Sequence, residues 1–211
     1  MAGDQPTVSA AKKRKTAREH GIELVTIVAV ALGLALLIQA FLVKPFRIPS
    51  ESMEPTLDVG QRVLVDRVSY RFSNPDRGDI VVFKPPAGAD SGTCGAANKP
   101  PDEACPRPTS THSGTNFIKR VVGVPGDRLK VLKGRVYING HLEREPFIRP
   151  STTCGICNLP RTITIPRGYF FMMGDNRGES ADSREWGPVP KKWIIGHAFF
   201  TYWPPNRIGP F

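Results

Sequence analysis

The hydrophobic positions of this chain form one continuous run, followed by many short alternating segments. The run covers residues 22–43, IELVTIVAVALGLALLIQAFLV, and its strongly polar members, Glu23 and Gln39, lie near its two ends. A helix of this length crosses the hydrocarbon core of a bilayer, and this one is apolar on every face, unlike a core helix. No small-residue cleavage site follows it, as one would after a signal peptide. The sequence therefore predicts an uncleaved transmembrane signal anchor at 22–43.

After this run, short apolar segments alternate with polar positions and are separated by turn residues. The chain contains 21 prolines and 20 glycines, and RVLVDRV is one of the alternating segments. A period of two is typical of strands with one buried face, and Asn139-Gly140 is a hairpin-turn signal. We expect a mostly β, antiparallel domain over residues 44–211. Its two cysteine-containing loops are expected at 85–115 and 150–160.

The charge distribution predicts which way the anchor is oriented. The formal net charge is +10, and residues 1–21 form a basic tail with lysines and arginines clustered at 12–18. Lysine and arginine concentrate on the cytoplasmic side of a membrane span. We therefore expect the tail in the cytoplasm and the β-rich domain outside the membrane. The remaining basic residues form no basic-aromatic module, so nucleic acid is not an expected partner.

The four cysteines fit a domain outside the cytoplasm, where disulfides persist. They are Cys94, Cys105, Cys154 and Cys157. Three pairings are possible, and the simplest joins the first to the second and the third to the fourth. The first two are spaced too far apart for a typical zinc-ligand pair, and no thioredoxin-like pattern surrounds CGIC. We expect structural disulfides, with no metal site and no cofactor.

Two serines and one lysine are candidates for nucleophilic chemistry. Ser50 and Ser52 lie in PSESMEPTL, directly after the anchor, and a serine hydroxyl needs a neighbouring base. No histidine has the acidic context that would mark it as that base. Lys119 in NFIKRVVGV shares a strand face with Phe117 and Val121, and apolar surroundings lower the pKa of a lysine. Its stem could equally cover apolar surface with its head in water, so both interpretations stay open.

Four segments in order resemble the sequence boxes of bacterial type I signal peptidases, also called leader peptidases. They are PSESMEPTL, RGDIVVFK, NFIKRVVGVPGD and MGDNRGESADSR, and the likeness runs from about Phe41 to Trp203 apart from the cysteine loops. The resemblance implies a membrane-bound serine endopeptidase with a catalytic domain of the signal-peptidase/LexA-like type. It also implies single-pass insertion in the bacterial cell membrane. Its partners would be exported preproteins, the phospholipid bilayer and a secretion translocon.

The same resemblance implies roles for individual residues. Ser52 takes the place of the nucleophile, Lys119 that of the general base, and Ser50 that of an oxyanion-hole donor beside the Ser52 backbone N–H. Residues that would orient and support the base are Ser180, Asp182 and Arg184, with Asp175, Asn176 and Arg177 building the same loop. Shallow pockets for an Ala-x-Ala cleavage motif would be lined by Phe46, Ile48, Pro49, Met53, Leu57, Phe117 and Ile118. Glu51 stands where the family often has glycine, which leaves open whether a positive φ is needed there.

Alternative functions remain compatible with this pattern. A related Ser-Lys peptidase dedicated to pilin or conjugation assembly would show the same residues. A LexA-like repressor would need a DNA-binding domain where residues 1–43 supply an anchor. A non-catalytic family member acting as an assembly chaperone would be expected to lack Ser52 or Lys119, and both are present.

Overall fold

The computed structural model describes residues 17–149 and 157–211 and divides into two compact units, the second of which is Phe41–Phe211. Helix α1, Ala17–Phe41, forms the described part of the first unit. Its segment Arg18–Ile38 has a mean hydropathy of 2.5 and is long and apolar enough to cross a membrane. The helix starts earlier than the predicted span at 22–43 and ends before it. Val43 belongs instead to a strand, where it pairs with Asp66.

The second unit is built from short strands and two one-turn helices. In the described residues the strands are β1 (Val43–Arg47), β2 (Arg62–Asp66), β3 (Ile80–Phe83), β4 (Phe117–Gly123), β5 (Arg128–Leu132), β6 (Arg135–Ile138), β7 (His141–Leu142), β8 (Leu159–Thr164), β9 (Tyr169–Met173), β10 (Val189–Pro190), β11 (Ile194–Trp203) and β12 (Gly209–Pro210). The helices are α2 (Ser69–Phe72) and α3 (Ser183–Trp186).

The strands form two antiparallel sheets, which confirms the mostly β, antiparallel prediction. The larger sheet has the order β1-β2-β11-β3-β4-β9-β10, with β12 paired to β11, and the smaller has the order β7-β6-β5-β8. The predicted alternation is present in β2, where Val63 and Val65 are buried and the residues between and beside them are not. Asn139 and Gly140 both have positive φ between β6 and β7, as a type I′ hairpin turn requires.

Three apolar clusters form the core of the described residues, and each of them includes a residue of β4. Ile118 belongs to a cluster with residues of β2 and β3, whereas Val121 packs with Phe170 and Trp186. The third cluster, which includes Val122, lies under the smaller sheet. Strand β4 therefore has apolar surroundings along its length, and this is what buries the lysine in its middle.

The two cysteine loops differ in how closely they match the predicted bounds. Between β3 and β4, the loop at 85–115 contains a disulfide that joins Cys94 to Cys105 with an S–S distance of 1.99 Å. The prediction of a loop over 150–160 is wrong at its end, because Leu159 is buried and begins β8 opposite Val131. Cys157 is also disulfide-bonded, and Cys154 lies outside the described residues.

Candidate active site

A cavity of about 450 Å³ opens between the chain segment after β1 and strand β4. Ser50, Ser52 and Lys119 all contribute to its wall. The other lining residues are Pro49, Thr115, Asn116, Phe117, Ile118, Glu179 and Ala181. The residues predicted to supply nucleophile, base and oxyanion donor, which are up to 69 positions apart in the sequence, thus share one cavity.

A one-turn 3-10 helix, Glu51–Met53, presents the two serines. Ser52 is 5% exposed, and its hydroxyl oxygen is 3.2 Å from that of Ser50. The turn is held from the loop after β9, because Asn176 donates its backbone N–H to Ser52 O (3.1 Å) and its side-chain amide to Glu51 O (3.2 Å). The backbone N–H of Ser52 has no acceptor among the described residues, as expected in the first turn of a helix. Glu51 does not adopt positive φ, so a non-glycine residue fits there without backbone strain.

Lys119 lies in the middle of β4, opposite Val81 of β3. It is 4% exposed, and its Nζ is 5.9 Å from the centroid of the Phe117 ring. Burial lowers the pKa of Lys119 from its ordinary value of 10.5 to about 8, although the nearby negative charge of Asp182 opposes this shift. An amine with this pKa is neutral in a useful fraction of molecules near neutral pH, which is a requirement for a base.

A buried ion pair lies behind the lysine. Asp182 accepts from Arg184 Nε on one carboxylate oxygen (2.7 Å) and from Arg184 Nη2 on the other (2.8 Å). Burial by itself raises the pKa of Asp182, but the Arg184 guanidinium and its hydrogen bonds hold it below the usual 3.8. The Ser180 hydroxyl also donates to Asp182 (2.8 Å), and among the described residues no hydrogen bond joins Lys119 Nζ to Ser180 or Ser52. Such catalytic contacts are often long in structures without substrate.

Gly174 brings this loop against the serine turn. A Cβ at this position would lie 2.3 Å from both the Ser52 carbonyl oxygen and the Ser180 hydroxyl oxygen. Its backbone N–H donates to Asp182 (3.1 Å). The backbone of Gly174 therefore forms the contact between the turn that carries Ser52 and the loop that surrounds Lys119.

Two further ion pairs in the same region were not predicted from the sequence. Arg120, the neighbour of Lys119, donates to both carboxylate oxygens of Asp175 (2.9 and 2.7 Å). Arg177 is fully buried and pairs with Glu145. An arginine in an apolar strand was the available signal for the first pair, whereas nothing in the sequence linked Arg177 to Glu145.

The seven predicted pocket residues divide between the cavity and the core. Pro49, Phe117 and Ile118 line the cavity. The structure instead places Ile48, Met53 and Leu57 in the core, at most 1% exposed, with Phe46 packed against that cluster. These four apolar side chains belong to the serine turn and the chain segments beside it, and their burial in the core holds the turn in place. The cavity is also lined by Thr115, Asn116, Glu179 and Ala181. These residues are polar or small, and nothing in the sequence predicted that they line the cavity.

The chain is similar to known signal peptidases over most of its length. A family model described as signal peptidase, peptidase S26, matches residues 21–203. A probable signal peptidase I-1 from Synechocystis sp. is 40% identical over 193 residues, which cover 89% of this chain and 85% of its own. The signal peptidase I of Leptolyngbya laminosa is 37% identical over 206 residues, 97% of this chain and 90% of its own. Among solved structures, a signal peptidase I from Enterococcus faecalis V583 covers 59% of this chain, with 23% identity and a TM-score of 0.38. On the strength of the family model and the two sequence relatives, the chain belongs to the peptidase S26 family of signal peptidases.

Proposed function

We propose that this protein is a membrane-anchored signal peptidase I that removes signal peptides from exported preproteins with a Ser52-Lys119 dyad. The observation that carries the proposal is a buried lysine, with its pKa lowered to about 8, in the same cavity as Ser50 and Ser52. A serine hydroxyl becomes a nucleophile only beside a group that takes its proton, and a neutral amine does so. Membership of the S26 family agrees with this chemistry.

The proposed reaction proceeds through an acyl-enzyme. Ser52 Oγ attacks the scissile carbonyl carbon while neutral Lys119 accepts the hydroxyl proton. The carbonyl oxygen then carries negative charge, and two donors are placed for it: the Ser52 backbone N–H and the Ser50 hydroxyl. Collapse of this intermediate breaks the C–N bond, and Lys119 returns the proton to the leaving amine. Lys119 next deprotonates a water molecule, whose oxygen attacks the ester carbonyl carbon, and Lys119 then passes this proton to Ser52 Oγ as the C–O bond of the ester breaks.

The supporting residues keep the base functional. Desolvation stabilises the neutral amine, while Asp182 limits the depression of the pKa and Arg184 balances the Asp182 charge. Since the Ser180 proton is directed to Asp182, the Ser180 oxygen has its lone pairs available for the Lys119 amine when substrate closes the cavity. We assign Ser180 to positioning the base on this ground.

The position of the serine turn in the chain fits a substrate in the membrane. Ser52 follows the end of α1 at Phe41 by only eleven residues. A signal peptide has its cleavage site a similarly short distance after its own apolar segment. With α1 spanning the bacterial cell membrane and the basic tail in the cytoplasm, the second unit would act on the outer side, on preproteins delivered by a secretion translocon.

Cleavage of a model preprotein tests the proposed function. We expect the full chain in detergent to cut a preprotein with alanine at −3 and −1, and to cut the same preprotein with phenylalanine at −1 at least about 100-fold more slowly. A cavity that excludes large side chains discriminates strongly against them. The two reactions are compared by kcat/KM from gel densitometry, with cleavage-site mapping by mass spectrometry. Equal rates for the two substrates would contradict the Ala-x-Ala specificity, and no cleavage of either would contradict the function.

Activity should depend on pH through Lys119. Because its pKa is lowered to about 8, about a tenth of the molecules carry the neutral amine at pH 7, and fewer at lower pH. We expect kcat/KM to rise about tenfold per pH unit below pH 8 and to level off above it. The profile is measured from pH 5.5 to 9.5, with the melting temperature recorded at each pH as the control for folding. A rate that is the same at pH 6 and pH 9 would exclude a lysine base of this pKa.

A further inference from the structure

A second cavity, of about 570 Å³, has a wall whose charged members are all cations. It shares no lining residue with the cavity of Ser52 and Lys119. The cations are Arg67, Arg71, Lys191 and Lys192, and the remaining wall consists of Tyr70 and two isoleucines. We call this the basic cavity. Positive charges that converge on a concave surface create a potential that favours an anionic ligand.

Among the described residues, the basic cavity keeps an excess of positive charge. Over residues 17–149 and 157–211, none of its four cations takes part in an ion pair. The neighbouring carboxylates are engaged elsewhere: Asp79 accepts from the Tyr70 hydroxyl (2.6 Å), and Asp66 accepts from the first residues of α2. Four cations around one cavity repel each other, and an anion bound among them would remove that repulsion.

Hydrogen bonds also hold the wall of the basic cavity in place, and they leave the charges of its cations unchanged. The Asp66 carboxylate accepts from the backbone N–H groups of Val68 (2.7 Å) and Ser69 (3.2 Å), which fixes the start of α2. Lys191 Nζ donates to Ser73 O (2.7 Å) and so ties the far end of α2 to the segment before β11. Arg71 and Lys192, which form no such bond to the protein in the described residues, are therefore presented by two connected elements.

The wall of the basic cavity is bonded to the chain segment that follows α1. The first residue of β1, Val43, pairs with Asp66, and Asp66 pairs with His197 near the start of β11. Arg67 donates its backbone N–H to Leu42 O (3.0 Å), the residue that separates α1 from β1. The last residue of α2, Phe72, is 87% exposed beside Arg71. An exposed aromatic side chain next to cations is typical of a protein surface at a membrane interface.

We propose that the basic cavity binds the phosphodiester headgroup of an anionic phospholipid. This inference rests on the proposed function in one respect, that α1 spans a membrane. Arg67 of the cavity wall is hydrogen-bonded to Leu42, the first residue after α1 in the chain. A free phosphate compound is also an anion, but it gives no reason for the exposed Phe72 or for the hydrogen bond between Arg67 and Leu42.

Lipid titration of the full chain tests the proposal. Phosphatidylglycerol is added to the detergent-solubilised protein, and binding is followed by native mass spectrometry, with zwitterionic phosphatidylcholine for comparison. Each lysine or arginine near an anionic surface contributes about fivefold in affinity, so Arg71→Gln with Lys192→Gln should weaken phosphatidylglycerol binding by about 25-fold. The matched control is Arg128→Gln with Lys130→Gln, which removes the same charge from β5 and should bind phosphatidylglycerol as the wild type does.

The outcomes separate this inference from its alternatives. The site would be overturned if both double variants bound phosphatidylglycerol with the affinity of the wild type. It would also be overturned if the wild type bound phosphatidylcholine as tightly as phosphatidylglycerol. Glycerol phosphate that binds as tightly as the lipid would assign the cavity to a free phosphate compound and overturn the lipid proposal. Preprotein cleavage in detergent is recorded for the same variants and should stay at the wild-type rate. If the wild type does not cleave preprotein, only the proposed function is contradicted, because lipid binding is measured independently of cleavage.

Discussion

Ser52→Ala should reduce kcat/KM for preprotein cleavage by about 10⁴-fold or more, because no other group can form the acyl-enzyme in the proposed mechanism. The fold should be retained, since the change removes a single hydroxyl whose partner among the described residues is the Ser50 hydroxyl (3.2 Å). The measurement is a single-turnover cleavage assay with enzyme in excess, which detects slow cleavage. Unfolding in denaturant is followed in parallel.

Ser73→Ala is the matched control for the nucleophile. Ser73 is an exposed serine of the same unit, and its hydroxyl donates to the backbone carbonyl of Ser69, the first residue of α2 (3.0 Å). This variant should cleave preprotein at the wild-type rate. If Ser52→Ala stays within tenfold of the wild type while both variants are folded, another residue is the nucleophile and the dyad is wrong.

Lys119→Met should abolish cleavage to a similar extent and, in contrast to most core substitutions, stabilise the fold. Burial lowers the pKa from 10.5 to about 8, so the protonated amine destabilises the folded state at every pH below about 8. That destabilisation decreases as the pH rises from about 8 to 10.5 and is absent above 10.5, where the unfolded chain has also lost its proton. Methionine has a similar shape and no charge, and we expect the free energy of unfolding at pH 7 to increase by roughly 2 kcal/mol.

The control for this substitution is Lys130→Met. Lys130 is a half-buried lysine on β5, so its replacement removes the same charge from a strand without removing a deeply buried amine. It should leave both activity and stability near the wild-type values, whereas the Lys119 gain should shrink between pH 7 and pH 10. A loss of stability in Lys119→Met at pH 7 would show that the lysine is held by favourable contacts and would contradict its role as a desolvated base.

Much of the site could be predicted because its chemistry depends on short segments. The serines of PSESMEPTL lie on one turn, and the apolar neighbours of Lys119 in the sequence are also its neighbours on β4. The alternation of β2 and the Asn139-Gly140 hairpin are equally local features. A pattern with a period of two, combined with turn residues, determines which side chains face the core, and for this reason the antiparallel β class could be read from the chain.

The features that were missed depend on contacts between distant segments. Arg120 and Asp175 are 55 positions apart, and Arg177 and Glu145 are 32 positions apart. Contacts between residues so far apart in the chain produce no periodic pattern in the sequence. The sequence could not separate wall from core residues for a related reason: Ile48 is as apolar as Ile118, but Ile48 packs in the core at 1% exposure whereas Ile118 lines the cavity. The end of α1 was misplaced because Val43 is suited both to an apolar helix and to a strand, and its pairing with Asp66 selects the strand.

The contact at Gly174 limits how this enzyme could be redesigned. Since a single added carbon would meet the Ser52 carbonyl and the Ser180 hydroxyl at 2.3 Å, the separation of the serine turn and the base-bearing region is set by two backbones. Repacking of side chains cannot tune that separation. A laboratory selection for new cleavage specificity should therefore accumulate its changes on the opposite wall, at Thr115, Asn116 and Phe117, where side chains face the cavity and leave the reacting groups where they are.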